Sequence, residues 1–264
     1  MFKSIFTKSL YTLRWQLLGW GLAVGLVAFI TMALYNSFNQ NGIEDIVNSM
    51  PESLKPLVGS VADFKTVPGY VGQQIFGPNI VLMTIIMSVL LFVGISANEE
   101  DDRRLQTLLS LPVTRTSVFF QKWLAVVAVI AFVSACIVAG LALGLLVADK
   151  SADMQRVWLS TFDAWLMNTA YGLVAYCVAM LTGKKGLTIA IGSGYAALSF
   201  FISSLAPAVD KLKDIDRFSI FHYYNQPQIM QHGLNGKHVA VLIAVIAVLT
   251  IVGWFGFTRR NIET

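Results

Sequence analysis

Residues 98–116 form a short, highly charged segment that holds the side chains whose types and spacing suggest chemistry most clearly. Long apolar stretches precede and follow it. Four acids come first and two arginines follow at once: Glu99, Glu100, Asp101, Asp102, Arg103 and Arg104. Charges of both signs on a short segment beside a membrane suit ion pairing with a soluble partner. This segment is therefore the candidate docking site.

We predict that the segment folds into one helix. Asn98 is a suitable N-cap, and acids in the first turn interact favourably with the positive end of the helix dipole. Glu99–Arg103 and Glu100–Arg104 have the i,i+4 spacing that stabilises a helix by about 0.2–0.5 kcal/mol per pair.

The same helix is predicted to carry an exposed apolar strip of three leucines: Leu105, Leu108 and Leu109. Pro112 ends the helix, and Arg115 and Lys122 mark the return of the chain to the membrane. A helix with a charged face and a leucine strip suits docking in a groove of another protein. A solvated hairpin helix is the plainer alternative.

Other kinds of chemistry find little support in the sequence. Gly183-Lys184 lacks the preceding glycine and the following hydroxyl residue of a phosphate-binding loop, so we expect no ATP site, no cofactor and no enzymatic activity in this chain. Three histidines lie in one segment at spacings that match no common metal motif: His222, His232 and His238. We expect no metal site, and the role of these histidines stays open.

The composition indicates that lipid is the solvent of most of the chain. It is 56% hydrophobic and 13% charged, with a mean hydropathy of +0.66, whereas soluble domains carry about 25% charged residues. We expect an all-α membrane protein with a single domain over residues 1–264. Six apolar stretches can cross a hydrocarbon core of about 30 Å: Trp15–Tyr35, Gln74–Ala97, Trp123–Ala148, Ala164–Thr182, Leu187–Ala206 and Val239–Phe257.

None of these stretches contains Asp, Glu, Lys, Arg or His, which argues against proton- or ion-coupled transport. Residues 2–14 predict an amphipathic helix in the membrane interface, with a basic flank of the first span as the alternative. Short helices are plausible near residues 43–50 and 53–61. Residues 207–238 mix charged and aromatic side chains and predict short outer helices that dip into the interface, with an ordinary surface loop almost as well supported.

Charge placement predicts the orientation. With both termini inside, the inner segments carry eleven Lys/Arg and five acids, and the outer segments carry eight and ten. The positive-inside rule then favours cytoplasmic termini in a multi-pass protein of the cytoplasmic membrane. It places residues 98–116 and the Gly183–Gly186 turn on the cytoplasmic side. The same topology explains the net charge of +4, so we infer no nucleic-acid partner.

Small residues predict where helices approach closely. Gly21–Gly25 and Gly140–Gly144 are G-x-x-x-G patterns, which allow tight packing in lipid, and we expect packing within the chain rather than between copies. Cys136 and Cys177 fall inside predicted spans, and we expect them to be packing residues rather than a disulfide.

The order of these features resembles the membrane subunit of an ABC-2-type ATP-binding-cassette exporter. That family commonly shows an acidic cluster after its second span, then a leucine-rich turn, Pro-Val-[Ser/Thr]-Arg and a downstream lysine. The matching residues are Glu99–Asp102, Leu105, Leu108, Leu109, Pro112-Val113-Thr114-Arg115 and Lys122. The family often has Gly-Thr where this chain has Arg103-Arg104. The resemblance extends to Pro68-Gly69-Tyr70, Tyr223-Tyr224 and Arg259-Arg260.

The resemblance implies that residues 98–111 are a coupling helix resting on a separate ATPase subunit, and that short outer or re-entrant helices lie between the fifth and sixth spans. It implies two ATPase subunits, which bind ATP and Mg²⁺, and a second membrane subunit, identical or different. The implied function is export across the cytoplasmic membrane. A non-transporting scaffold or sensor, and a secondary transporter or channel, stay open as alternatives, and the cargo is not readable.

Overall fold

The computed structural model describes residues 4–40, 66–110, 112–207, 209–224, 229–230 and 233–261. Six helices in these ranges are long and apolar enough to cross a membrane, and no strand occurs in them. The predicted all-α membrane fold is therefore confirmed. We number the long helices span 1 to span 6 in chain order: Ile5–Ala33, Pro78–Ile95, Arg115–Ala148, Met154–Thr182, Lys185–Leu205 and Gly236–Arg259.

Shorter helical pieces connect the spans: Tyr35–Gln40, Val67–Tyr70, Val71–Ile75, Ala97–Asp101, Arg104–Leu109, Asp210–Asp216 and Ile220–Tyr223. The helical conformation is interrupted at Gly77, just before span 2, where the backbone is extended. A Cβ at Gly77 would lie 1.7 Å from the carbonyl oxygen of Gln73, so only glycine fits there. Pro78 then begins span 2, in the first helical position that proline tolerates well.

Span 1 begins at Ile5 and runs without a break to Ala33. The separate interfacial helix predicted for residues 2–14 is therefore wrong, because residues 5–14 are the first turns of span 1. Their apolar residues recur along the side of span 1 that packs on span 3, and Ile5 and Leu13 are buried. A 29-residue helix is about 43 Å long, so about 13 Å of it exceeds a 30 Å hydrocarbon core.

Span 4 is the central helix of the bundle. It packs against spans 2, 5 and 6, whereas span 1 packs mainly along span 3. Most of span 4 is buried, whereas few residues of spans 5 and 6 are buried, so much of their surface would face lipid tails. Span 4 begins ten residues before its predicted start at Ala164, so Asp163 lies inside this helix and is buried.

Small residues form the contact between spans 1 and 3. Gly25 and Gly140 meet backbone to backbone, since a Cβ on Gly140 would lie 2.0 Å from the Gly25 carbonyl oxygen. Gly21 packs against Cys136 and Phe132 in the same contact. The predicted packing of these glycine patterns within the chain is confirmed, and Cys136 is a packing residue. Lipid offers no hydrophobic drive between helices, so this close approach supplies van der Waals attraction instead.

The segment between spans 5 and 6 lies at the end of the bundle opposite to residues 97–115. Tyr224 ties it to the turn before span 2, because its hydroxyl donates a hydrogen bond to the Phe76 carbonyl oxygen at 2.8 Å. Burial raises the pKa of Tyr224, and the negative charge of Asp163 adds to the effect. The hydroxyl therefore stays protonated and remains a donor.

Asp216 organises the same segment. Its carboxylate accepts a hydrogen bond from the Ser203 hydroxyl at 2.5 Å and pairs with His222 Nδ1 at 2.6 Å. The His238 ring lies 6.2 Å from the His222 ring, centroid to centroid. His222 thus belongs to a polar pair within the outer segment, and its ring packs near that of His238 at the start of span 6. His232 lies outside the described residues.

The structure tests only some of the predicted short helices. Helices at Asp210–Asp216 and Ile220–Tyr223 confirm that the segment between spans 5 and 6 is helical in part. The helices predicted near residues 43–50 and 53–61 lie outside the described residues.

Replacing Gly140 by alanine tests the contact between spans 1 and 3. We expect Gly140→Ala to lower the free energy of unfolding by about 1–3 kcal/mol, because the methyl group meets backbone and forces the helices apart. Thermal unfolding in detergent measures the change. Gly19→Ala in span 1 is the matched control, since nothing lies within 4 Å of a Cβ there. Equal stability of the two variants would contradict the proposed contact.

Candidate functional site

Residues 97–109, named the connector here, join spans 2 and 3 through two short helices, Ala97–Asp101 and Arg104–Leu109. The turn between them places Arg103 in the left-handed region, at φ 57°. The prediction of a single helix starting at Asn98 is therefore wrong. A left-handed residue interrupts the i→i+4 hydrogen bonds, so the chain changes direction in the middle of the charged segment.

The predicted pairs Glu99–Arg103 and Glu100–Arg104 do not form. Glu99 pairs with Lys122 of span 3, and Glu100 pairs with Arg260, which follows span 6. An exposed pair within one helix contributes only about 0.2–0.5 kcal/mol. Partners supplied by the rest of the bundle are less exposed, and hydrogen bonds to a charged group are stronger where water is excluded.

The pair formed by Glu99 and Lys122 is buried. Only 8% of the Glu99 side chain and 2% of the Lys122 side chain are exposed, and the Lys122 ammonium also donates to the Ile95 carbonyl oxygen at 2.7 Å. Lys122 was expected to mark the surface where the chain returns to the membrane. It instead turns inward and fixes the connector to span 3.

Arg260 joins three parts of the bundle. Its Nη2 donates to both carboxylate oxygens of Glu100, at 2.5 and 2.6 Å, and its Nη1 donates to the Ala179 carbonyl oxygen of span 4 at 3.1 Å. Gly183 makes room for this contact. A Cβ at Gly183 would lie 2.3 Å from Glu100 Oε1, and its φ of +67° also requires glycine.

Arg115 completes the connection to span 6. Its Nη1 donates to the carbonyl oxygen of Arg260 at 2.6 Å and approaches the Phe257 carbonyl oxygen at 3.4 Å. A cation at the last turn of a helix satisfies carbonyl groups that have no partner within the helix and complements its dipole. We name Glu99, Glu100, Lys122 and Arg260, with Arg115, the charge clamp.

The outward side of the connector carries the remaining charges. Asp101, Asp102, Arg103 and Arg104 are exposed. Asp102 and Arg104 form an ion pair of 3.2 Å, and Asp101 lies 3.8 Å from Lys185 at the start of span 5. Exposed pairs of this kind contribute little stability, so their side chains are free to exchange partners.

The leucines of the connector face the opposite way from the prediction. Leu105 and Leu108 are buried in the core of the bundle and do not form an exposed strip. The change of direction at Arg103 turns this helix so that its apolar side meets the bundle. The side chain of Leu109 lies outside the described residues. Pro112 is exposed beyond the end of the helix at Leu109.

The connector and the charge clamp form a set of polar contacts that joins several spans. The described part of the chain shows no group of three His, Cys, Asp or Glu side chains placed to hold a metal ion. The clamp links the connector to spans 3, 4 and 6, and Lys185 adds a weaker link to span 5. The connector is therefore held to several spans at once. Sequence analysis found the connector but missed the roles of Lys122, Arg260 and Gly183.

A family model described as the C-terminal domain of the multidrug efflux system permease Rv1217c matches residues 8–258. The match covers spans 2 to 5, nearly all of spans 1 and 6, the connector, and every member of the charge clamp except Arg260. No curated protein matches the chain significantly.

Removing one member of the buried pair tests the charge clamp. We expect Lys122→Met to lower the free energy of unfolding by about 3–5 kcal/mol, because Glu99 is left buried without its cation. The double variant Glu99→Gln, Lys122→Met should be clearly more stable than Lys122→Met alone. Unfolding in mixed micelles measures both changes.

Lys185→Met is the control, because the pair of Lys185 with Asp101 is exposed and its loss should change stability by about 0–1 kcal/mol. If Lys122→Met and Lys185→Met destabilised the protein equally, the buried pair would not be the main interaction that stabilises the position of the connector.

Proposed function

Because the chain belongs to the family of the multidrug efflux permease C-terminal domain, we propose that this transporter permease is of the ABC-2 type and is driven by a separate ATPase. One observation carries the proposal. The connector presents exposed charges at one end of the bundle, while its other side is fixed to the spans by the charge clamp. A partner that binds the exposed side can therefore move the membrane helices.

The docking surface that we propose consists of charges rather than leucines. The exposed charges are Asp101, Asp102, Arg103 and Arg104. Leu105 and Leu108 are buried and pack the connector against the bundle. Charge pairing at such a surface mainly sets partner choice and the rate of association. A pair of acids and a pair of arginines would meet a surface on the ATPase that carries both signs.

The mechanism follows from the links of the clamp. Closure of the ATPase on ATP would push the connector along with the residues that hold it. The Glu99–Lys122 pair would pass this motion to span 3, and the Glu100–Arg260 pair would pass it to spans 4 and 6. Buried, well-packed groups resist compression and transmit strain, so the spans would move with the connector. We propose no ATP site in this chain, since its sequence lacks a phosphate-binding loop.

The assembly that we propose contains two membrane units and two ATPase subunits. The matched model describes one domain of a permease, and the present chain supplies six spans over that match. A second copy or a different membrane subunit would provide the other half of a pathway. Energy input by two ATPase subunits then acts on two connectors.

An apolar groove supports a lipophilic cargo. It has a volume of about 310 Å³, lies between spans 2 and 5, and is lined by side chains such as Ile85, Val89 and Ile189. Its one hydroxyl, Ser193, already donates to the Ile189 carbonyl oxygen. A surface without free polar groups offers no recognition of charged or strongly polar substrates. We therefore propose export of lipophilic compounds.

Orientation is tested by cysteine labelling from outside the cell, in a variant whose two native cysteines are replaced by alanine. We expect reaction at Ser151→Cys and Asn235→Cys and no reaction at Ser110→Cys, because the basic end should be cytoplasmic. All three positions are exposed on the protein. External labelling at Ser110→Cys would reverse the proposed orientation and remove the connector from the ATPase.

Charge reversal on the connector tests ATPase docking. We expect Arg103→Glu, Arg104→Glu to weaken binding of the ATPase roughly tenfold or more, since both arginines are exposed and their charge would now repel the acids of the partner. Co-purification of the ATPase from its native membrane, and substrate-stimulated ATP hydrolysis, measure the effect.

Lys211→Glu is the matched control, because Lys211 is an exposed cation at the opposite end of the bundle. Both variants should unfold at the same temperature as the unmodified protein. Full ATPase binding by the connector variant would show that residues 97–109 form only a solvated turn. Leu108→Asp does not serve this purpose, since Leu108 is buried and its replacement would disrupt the connector itself.

A further inference from the structure

Two arginines at the connector end of the bundle are stacked on exposed aromatic rings. The guanidinium carbon of Arg14 lies 3.6 Å from the centre of the Tyr11 ring and 5.7 Å from that of Trp15. The guanidinium carbon of Arg259 lies 3.7 Å from the centre of the Phe255 ring. Both arginines differ from Arg115 and Arg260, which serve the charge clamp.

The position of Arg14 along span 1 places it at the edge of the hydrocarbon core. The stretch from Trp15 to Ala33 is about 28 Å long as a helix, which matches a core of about 30 Å. Arg14 comes directly before this stretch. Trp15 is 71% exposed and Tyr11 is 52% exposed, as expected for aromatic side chains at a membrane–water interface.

Arg259 occupies the corresponding place on span 6. It is the last residue of a 24-residue helix, and its aromatic platform, Phe255, is 48% exposed on the lipid-facing surface. Trp254 beside it donates to the Thr116 hydroxyl at 3.1 Å, at the start of span 3. This contact places the end of span 6 at the same end of the bundle as the connector.

Stacking leaves the edge of each guanidinium open for a ligand. The face of the group lies on the ring, while the N–H donors point sideways in the plane of the group. Arg14 uses Nη1 for a hydrogen bond of 2.6 Å to the Tyr11 carbonyl oxygen, which fixes its orientation. A planar fork of donors held in this way matches the oxygens of a phosphate group.

We propose that Arg14 and Arg259 each bind the phosphate of an anionic phospholipid in the leaflet at the connector end. The ligand is a lipid because both groups lie on apolar surface that faces acyl chains, next to aromatic residues at interface depth. An anionic lipid is favoured over a zwitterionic one, since its net charge complements the arginine and no ammonium group weakens the attraction. The two sites would fix the depth of spans 1 and 6 in the membrane.

Native mass spectrometry tests the proposal on the purified full-length permease without its ATPase. The protein is released from micelles containing equal amounts of phosphatidylglycerol and phosphatidylcholine, and the retained lipids are counted. We expect selective retention of phosphatidylglycerol. Arg14→Gln and Arg259→Gln should each lower its apparent affinity roughly fivefold, since one basic residue near a charged membrane surface contributes about that factor.

Arg103→Gln is the matched control, because Arg103 is exposed on the connector and is not stacked on a ring. Equal loss in all three variants would overturn the two sites in favour of diffuse attraction. Equal retention of the two lipids would also overturn the proposal. Inorganic phosphate added in excess should not displace the lipid, and displacement would identify a free anion site instead. None of these outcomes depends on coupling to an ATPase.

Discussion

The buried ion pair between Glu99 and Lys122 is the constraint on which the rest of the connector end depends. Taking two charges out of water is unfavourable unless both are paired and hydrogen-bonded, so the fold must hold them in one arrangement. The Ile95 carbonyl oxygen satisfies a further donor of the ammonium group. With Glu99 directed inward, Glu100 can reach Arg260, and the acids that follow are left on the surface. One buried contact thus divides a run of four acids into an inner and an outer pair.

The bundle uses different devices at different depths, because water is available only at its ends. Between spans 1 and 3, Gly25 and Gly140 allow close backbone contact without a polar side chain at that point. At the ends, side-chain charges and hydroxyl groups meet helix termini, as in the contacts of Arg115 with the last turn of span 6 and of Tyr224 with Phe76. Apolar packing sets how close the helices lie, and polar contacts at the ends tie particular helices to each other.

The sequence predicted the six spans, their order and the location of the connector, since these depend on apolar length and local charge. It also predicted that the glycine patterns pack within the chain. It failed where a residue chooses between a local partner and a distant one. Glu99 and Glu100 have arginines at i,i+4 in the sequence. They pair instead with Lys122 and Arg260, because the folded bundle excludes water around these two pairs. The prediction of an exposed leucine strip was wrong because the turn at Arg103 decides which side of the helix meets the core. Gly183 and Gly186 bound the turn that the sequence predicts, but only Gly183 has a positive φ, while Gly186 lies inside span 5.

Arg260 is the last residue of the charge clamp to be synthesised. Glu100 and Arg260 are 160 positions apart, so a ribosome adding about 5–20 residues per second reaches the arginine roughly 8–32 s after the glutamate. Spans 3, 4, 5 and 6 are all made in that interval. During biogenesis the connector therefore first lacks its contact with Arg260, which can form only after the sixth span has been made. A chain whose sixth span has not yet been inserted would therefore have a connector that lacks one of its two inward ion pairs.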